Sequence, residues 1–160
     1  MKKRYIYAEE AVELLKRKGA SVALAESCTG GMVAETITSV SGASEIFETG
    51  IVSYSEGVKT ELLSVPAELI AGKSVVSREV AEAMAEGVRR LARSDYGIGI
   101  TGVAGPGPNG GHPEGEIYVA LSDSCGTVTE KLMTGTFGER EGNREKASET
   151  AFLMLINRIK

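Results

Sequence analysis

Apolar residues recur along this chain at two different spacings, and the changes from one to the other mark out its elements. From Ala8 to Lys18, Ala11, Leu14 and Leu15 share one helical face with charge elsewhere, and Gly19 supplies a stop. Ser21 to Ala25 is short and mostly apolar, the pattern of a buried strand. Helical spacing returns over Thr29 to Ser39, with Met32, Val33, Thr36 and Val40 recurring. Ile46, Phe47, Ile51, Val52 and Tyr54 predict a strand, or a bent strand pair about Gly50, within Glu45 to Ser55. A short helix is expected from Gly57 to Leu63.

The strongest helical pattern runs from Ser77 to Arg93. Ser77 is placed to cap it, Glu79 and Glu82 stand near its start, and Val80, Met84, Val88 and Leu91 lie along one face. Tyr96 to Thr101 reads as a strand. Gly102 to Gly115 is rich in glycine and proline and reads as a loop between strands. Ile117 to Ser122 and Val128 to Met133 predict a hairpin joined through Asp123 to Gly126, and a closing helix is expected from Arg140 to Ile159. Strands separated by helices indicate an α/β fold, a three-layer α/β/α sandwich, and the hairpin makes its mostly parallel sheet a mixed one.

Composition narrows the function classes. The 160 residues are 42% hydrophobic and 25% charged, which fits one globular domain over 1–160. A net charge of −4 without a basic stripe argues against a nucleic-acid partner. Apolar runs such as Ala151 to Ile156 fall far short of the ~20 residues a bilayer span needs, and the start lacks a signal-peptide pattern. No membrane association and a cytoplasmic location are therefore expected. Cys28 and Cys125 are too few for a disulfide framework, and His112, the sole histidine, leaves no multi-histidine metal site. A homo-oligomer is the default expectation for a small α/β protein.

Candidate chemistry gathers at Ala25-Glu26-Ser27-Cys28-Thr29-Gly30-Gly31, where the first strand gives way to a helix. There Ser27 would be presented at the sheet edge, with the N–H groups of Thr29, Gly30 and Gly31 available to an oxyanion or a phosphate. Ser27 and Thr29 could equally be plain helix caps. A serine nucleophile needs a base. His112 sits in a loop that fixes no position for it, whereas Lys59 follows the strand that ends near Tyr54. To act near neutrality a lysine must lose about three pKa units, or ~4 kcal/mol; the ordinary alternative is a solvated side chain. Glu26 could orient or replace that base or serve structure only. Cys28 could be a nucleophile activated by the helix N-terminus or a buried filler. Arg140 and Arg144, four apart, suit a phosphate between them or a set of surface ion pairs with neighbouring glutamates. Gly97-Ile98-Gly99-Ile100-Thr101-Gly102 matches a dinucleotide fingerprint but lies within a strand, where that signal is weak.

Four stretches carry a family resemblance. They are Ala25 to Gly31; Gly50-Ile51-Val52-Ser53-Tyr54-Ser55 with Lys59; Gly99-Ile100-Thr101-Gly102-Val103-Ala104-Gly105-Pro106; and Gly138-Glu139-Arg140 with Arg144. Together, in this order, they resemble the C-terminal domain of the competence/damage-inducible protein CinA, a family also found alone as nicotinamide-nucleotide amidohydrolase. The resemblance implies hydrolysis of the carboxamide of nicotinamide mononucleotide to nicotinic acid mononucleotide and ammonia, with a small-molecule nucleotide as substrate and neither metal nor cofactor. It implies Ser27 as nucleophile, Lys59 as base and Tyr54 as a partner in their proton network. Thr101, Gly102 and the Thr29, Gly30 and Gly31 amides would line the site, and Arg140 with Arg144 would hold the 5′-phosphate. The larger family protein has a further N-terminal domain with no counterpart here, so only the amidase activity is expected. Family members usually carry Asp where Glu139 stands, and a better helix former than Gly142. A non-catalytic nucleotide-binding module and a serine amidase for another small amide are the rival readings.

Overall fold

The computed structural model describes residues 1–135 and 139–160. Its elements are α1 (Lys3–Lys18), β1 (Val22–Glu26), α2 (Met32–Thr38), β2 (Phe47–Val52), α3 (Glu56–Leu63), α4 (Ala67–Lys73), α5 (Arg78–Ala92), β3 (Tyr96–Gly102), β4 (Glu116–Asp123), β5 (Gly126–Met133) and α6 (Arg140–Ile159). The five strands form one sheet in the order β2-β1-β3-β4-β5. β1 pairs in parallel with β2 and β3, while β4 runs antiparallel to both β3 and β5. β4 thus opposes the other four strands, and the sheet is mixed with a parallel core, as the sequence pattern predicts.

Helices cover both faces. On one, Leu15 of α1, Val33 of α2, and Phe152 and Leu155 of α6 pack on Leu24, Ile98, Ile100, Ile117 and Val119. Each such fully buried side chain contributes about 1.5–3 kcal/mol. On the other face, Val80, Met84 and Val88 of α5 join Leu63 of α3 and Ile70 of α4 over Ala23 and Ala25. The strand residues facing α5 are small for a reason. A Cβ on Gly97 would stand 2.3 Å from the Ala85 carbonyl oxygen, and one on Gly99 would stand 2.4 Å from that of Ala81. The glycines within this strand are the seat of a helix and not a phosphate loop.

Several boundaries differ from the sequence expectation. α1 begins at Lys3, ahead of Ala8, although basic residues oppose the helix dipole there. Tertiary partners compensate: buried Arg4 meets Glu145 at 3.2 Å and Glu35 at 3.7 Å. α2 begins only at Met32, because Gly30 (φ 60) and Gly31 (φ 96) hold a left-handed turn that no helix can include. β2 is one edge strand, not a bent pair. α4, in a segment to which the sequence pattern assigns no element, is a seven-residue helix that buries only Ile70 and so shows no periodic face.

The chain leaves β1 for β2 on one side, then returns to β3 on the other side of β1. The carboxyl ends of β1 and β3 therefore flank the point where the winding reverses, which is where open α/β sheets form a crevice. Ser27 follows β1 directly, and Thr101 and Gly102 end β3. No helix among the described residues is long and apolar enough to cross a membrane.

Candidate active site

A cleft of about 510 Å³ opens at that reversal, lined by Ser27, Cys28, Tyr54, Lys59, Thr101, Gly102 and Arg140 among others. Ser27 is fixed by its own N–H, which donates to the Ile100 carbonyl of β3 at 3.0 Å. Lys59 comes from the first turns of α3, whose start is capped by the Ser55 hydroxyl accepting from the Val58 N–H at 3.2 Å. The Lys59 side chain runs back under the strand ends and is only 1% exposed. Its Nζ lies 2.6 Å from the Ser53 carbonyl oxygen, 3.0 Å from Ser27 Oγ and 3.5 Å from the Tyr54 carbonyl oxygen.

All three neighbours are oxygens: as an ammonium Nζ donates to each, and once it loses a proton it can keep the Ser53 and Tyr54 carbonyls and turn its lone pair to the Ser27 hydroxyl. Among the described residues no carboxylate forms an ion pair with Lys59. Burial pushes the ammonium below the ordinary lysine range, and the charges of Cys28 and Glu56 only partly oppose it.

The neighbouring candidates separate clearly. The Cys28 thiol also lines the cleft, but burial pushes it up to about 12, the reverse of the activation expected from a helix N-terminus. Protonated at neutral pH, it is a poor nucleophile. Glu26 is buried beneath the turn and accepts from the N–H groups of Val33 at 3.1 Å and Ala34 at 2.8 Å. It caps α2 and reaches neither Ser27 nor Lys59, so the helix is capped by the end of the strand and not by Ser27 or Thr29.

The outer part of the site departs from expectation. Thr29, Gly30 and Gly31 do not line the cleft, and the Gly30 N–H is already bonded to the Ser27 carbonyl at 3.0 Å. The residue that does line it is Cys28, next in the chain to Ser27; the Cys28 N–H faces its own sulfur. Tyr54 is 64% exposed, and its hydroxyl accepts from Arg140 Nη2 at 3.3 Å instead of joining Ser27 and Lys59. Arg140 Nη1 donates to the Gly105 carbonyl, so Arg140 and Tyr54 form the mouth of the cleft. Arg144, expected beside Arg140, lies outside the lining and donates to the Thr29 carbonyl at 2.8 Å. The two guanidiniums thus diverge onto separate carbonyls, which relieves their like-charge spacing without a ligand. Gly138, the first residue of the fourth stretch, lies outside the described residues.

Thr101 lines the cleft while its hydroxyl holds the Val75 carbonyl at 2.9 Å. That contact brings in a wall the sequence left without a role: Val75, Val76 and the segment from Val103 to Asn109. The segment is braced from behind by Glu114, which accepts from the Gly107 N–H at 3.1 Å, and by Asn143, which donates to the Ala104 carbonyl at 2.9 Å. One signal for it was present. Asn109-Gly110-Gly111-His112 has the composition of a two-residue hairpin turn, and Asn109 and His112 do pair across it.

Fold and site together define an α/β/α domain with a serine and a buried lysine in contact at the reversal point of a mixed sheet. The family model for the CinA C-terminal domain matches residues 5–159, and the chain belongs to that family. It is 45% identical over 152 residues to a CinA-like protein of Myxococcus xanthus, covering 93% of this chain and 35% of that protein. It is 48% identical over 148 residues to a CinA-like protein of Desulfovibrio desulfuricans, covering 90% of this chain and 34% of the relative. The chain thus spans about a third of the length of these curated relatives. The crystal structure of competence/damage inducible protein CihA from Agrobacterium tumefaciens matches with a TM-score of 0.92 at 30% identity, covering 97% of this chain and 94% of that one.

Proposed function

We propose that this domain hydrolyses the carboxamide of nicotinamide mononucleotide, giving nicotinic acid mononucleotide and ammonia. The observation that carries the reading is the 3.0 Å approach of Lys59 Nζ to Ser27 Oγ with no acidic partner for the lysine among the described residues. A buried lysine beside a serine and without an acidic partner among the described residues is what a serine amidase needs as its base, and a binding module gives it no such use.

The neutral Lys59 amine takes the Ser27 proton as Oγ bonds to the carboxamide carbon. The negative charge that forms on the amide oxygen meets the Cys28 N–H, next in the chain to the nucleophile. Lys59 returns the proton to the departing nitrogen, and ammonia leaves an ester on Ser27. Water then repeats the attack with Lys59 as base, releasing the carboxylate. Arg140 and Tyr54 at the mouth supply a guanidinium and a hydroxyl for the 5′-phosphate, a charge-assisted contact that free nicotinamide cannot use.

Ammonia release from nicotinamide mononucleotide by the purified protein and by Ser27→Ala tests the reading. Turnover confined to the unmodified protein is expected. Equal turnover by both would place the nucleophile elsewhere, and none from folded protein would point to a different amide.

A further inference from the structure

Away from Ser27 and Lys59, a second serine is held by a histidine that is held in turn by a carboxylate. Ser74, just past α4, lies 2.8 Å through Oγ from His112 Nε2, and His112 Nδ1 lies 3.2 Å from Glu116 Oε2. The hydrogens can be assigned from the partners. A carboxylate only accepts, so Nδ1 carries the proton and Nε2 of the neutral ring is an acceptor. The Val76 N–H donates to Ser74 Oγ at 3.3 Å, which leaves the hydroxyl hydrogen directed at His112. This is the tautomer a general base requires.

Three further observations agree with that use. Ser74 has φ 77 and ψ 149, a region adopted almost exclusively by glycine and found at non-glycine residues mainly in functional sites. Glu116 is buried, which alone would raise its pKa, but hydrogen bonds from Tyr118 and His112 and the charge of Lys131 hold it below the usual range. It therefore stays an acceptor for Nδ1–H. Val75, the residue after Ser74, lines the cleft, and its N–H has no acceptor among the described residues. The residue after a serine nucleophile is the usual source of an oxyanion donor. A hydrogen-bonded strut joining His112 to α4 would require neither the strained serine nor the open N–H.

We infer that Ser74, His112 and Glu116 form a second nucleophilic centre, separate from Ser27 and set behind Val75 outside the cleft lining, that accepts the acyl group of small esters approaching from solvent, to which Ser74 and His112 are both partly exposed. In the first step the Ser74 hydroxyl proton passes to His112 Nε2 as Oγ bonds to the ester carbonyl carbon. The bond to the alcohol oxygen then breaks, and the proton on Nε2 goes to the departing alkoxide. Water attacks the Ser74 ester, gives its proton to His112, and restores the hydroxyl as the free acid leaves.

The test uses the Ser27→Ala protein, so that the first serine cannot contribute. It is exposed to a fluorophosphonate probe and digested with trypsin, and the peptide from Ser74 to Arg78 is fragmented to separate Ser74 from Ser77. Label on Ser74 is expected, together with p-nitrophenyl acetate hydrolysis that falls at least about 100-fold when His112→Gln is added. Ser74→Gly in the same background relaxes the backbone, so it should remain folded while losing both label and esterase activity. An unlabelled Ser74 in folded protein, or esterase activity untouched by His112→Gln or by Ser74→Gly, would overturn the inference.

Discussion

Arg140 Nη2 donates to the Tyr54 hydroxyl at 3.3 Å, joining the first residue of α6 to the segment that follows β2. Both side chains are exposed, so the contact adds little to stability and is free to be exchanged for a ligand. The same guanidinium also touches the Gly105 carbonyl, which sets its position at the cleft mouth without neutralising its charge. An anion arriving there would meet one arginine, because Arg144 is committed to the Thr29 carbonyl.

Arg140→Ala is accordingly expected to raise KM for nicotinamide mononucleotide by about tenfold or more, the worth of one charge-assisted contact of ~1.5–3 kcal/mol. KM for the dephosphorylated riboside should change little. Arg144→Ala should affect the two substrates alike, since it acts only through the turn that follows Ser27. Steady-state kinetics of both substrates with both variants decide this, and an equal loss on the riboside in Arg140→Ala would remove the phosphate assignment.

As the proposed base, Lys59 would work only when neutral, so kcat/KM should rise with pH through a pKa lying below the ordinary lysine value of ~10.4. Lys59→Met should lower turnover by about 10²–10⁴-fold and abolish that rise. The sign for stability follows from the same shift. Between the lowered folded-state pKa and the unfolded value, the unfolded chain binds more protons, so stability gains with rising pH across that interval. The Tm of the unmodified protein should therefore improve relative to Lys59→Met on going from neutral pH toward ~10. A difference in Tm that stays constant with pH would show that Lys59 is charged throughout.

The sequence made the layers and the inner pair legible because both depend on local signals. Periodicity places α5, β1, β3 and the β4–β5 hairpin, and a serine after a buried strand with a lysine after the next one needs little more than chain order to bring them together. What it hid depends on packing across the chain. Gly97 and Gly99 match a nucleotide fingerprint that their place in a strand already discounts, but their use as a helix seat shows only once Ala81 and Ala85 are seen against them. Cys28 reads in sequence as either an activated thiol or a buried filler, and only its burial decides for the filler, because desolvation outweighs any helix dipole there. Tyr54 and Arg144 carry the right chemical groups, but their directions are set by partners 86 and 115 residues away. Spacing along the chain carries no record of such contacts.

Glu26 is the residue for which the sequence allowed the widest choice, and its geometry leads to a definite outcome. Its two carboxylate oxygens take the N–H groups of Val33 and Ala34, so Glu26→Ala leaves both donors without that acceptor at the start of α2. Two hydrogen bonds to a carboxylate are worth about 3–6 kcal/mol together, or roughly 6–24 °C in Tm for a chain of this size. Glu26→Gln keeps one acceptor oxygen and should fall between. Because Ser27 is the next residue, loosening the turn should also lower kcat, but the pH–rate profile should keep its shape if Lys59 alone is the base. Thermal unfolding and pH–rate measurements on Glu26→Gln separate the two roles: an undisturbed Tm with an altered pH profile would make Glu26 part of the chemistry and not the cap of a helix.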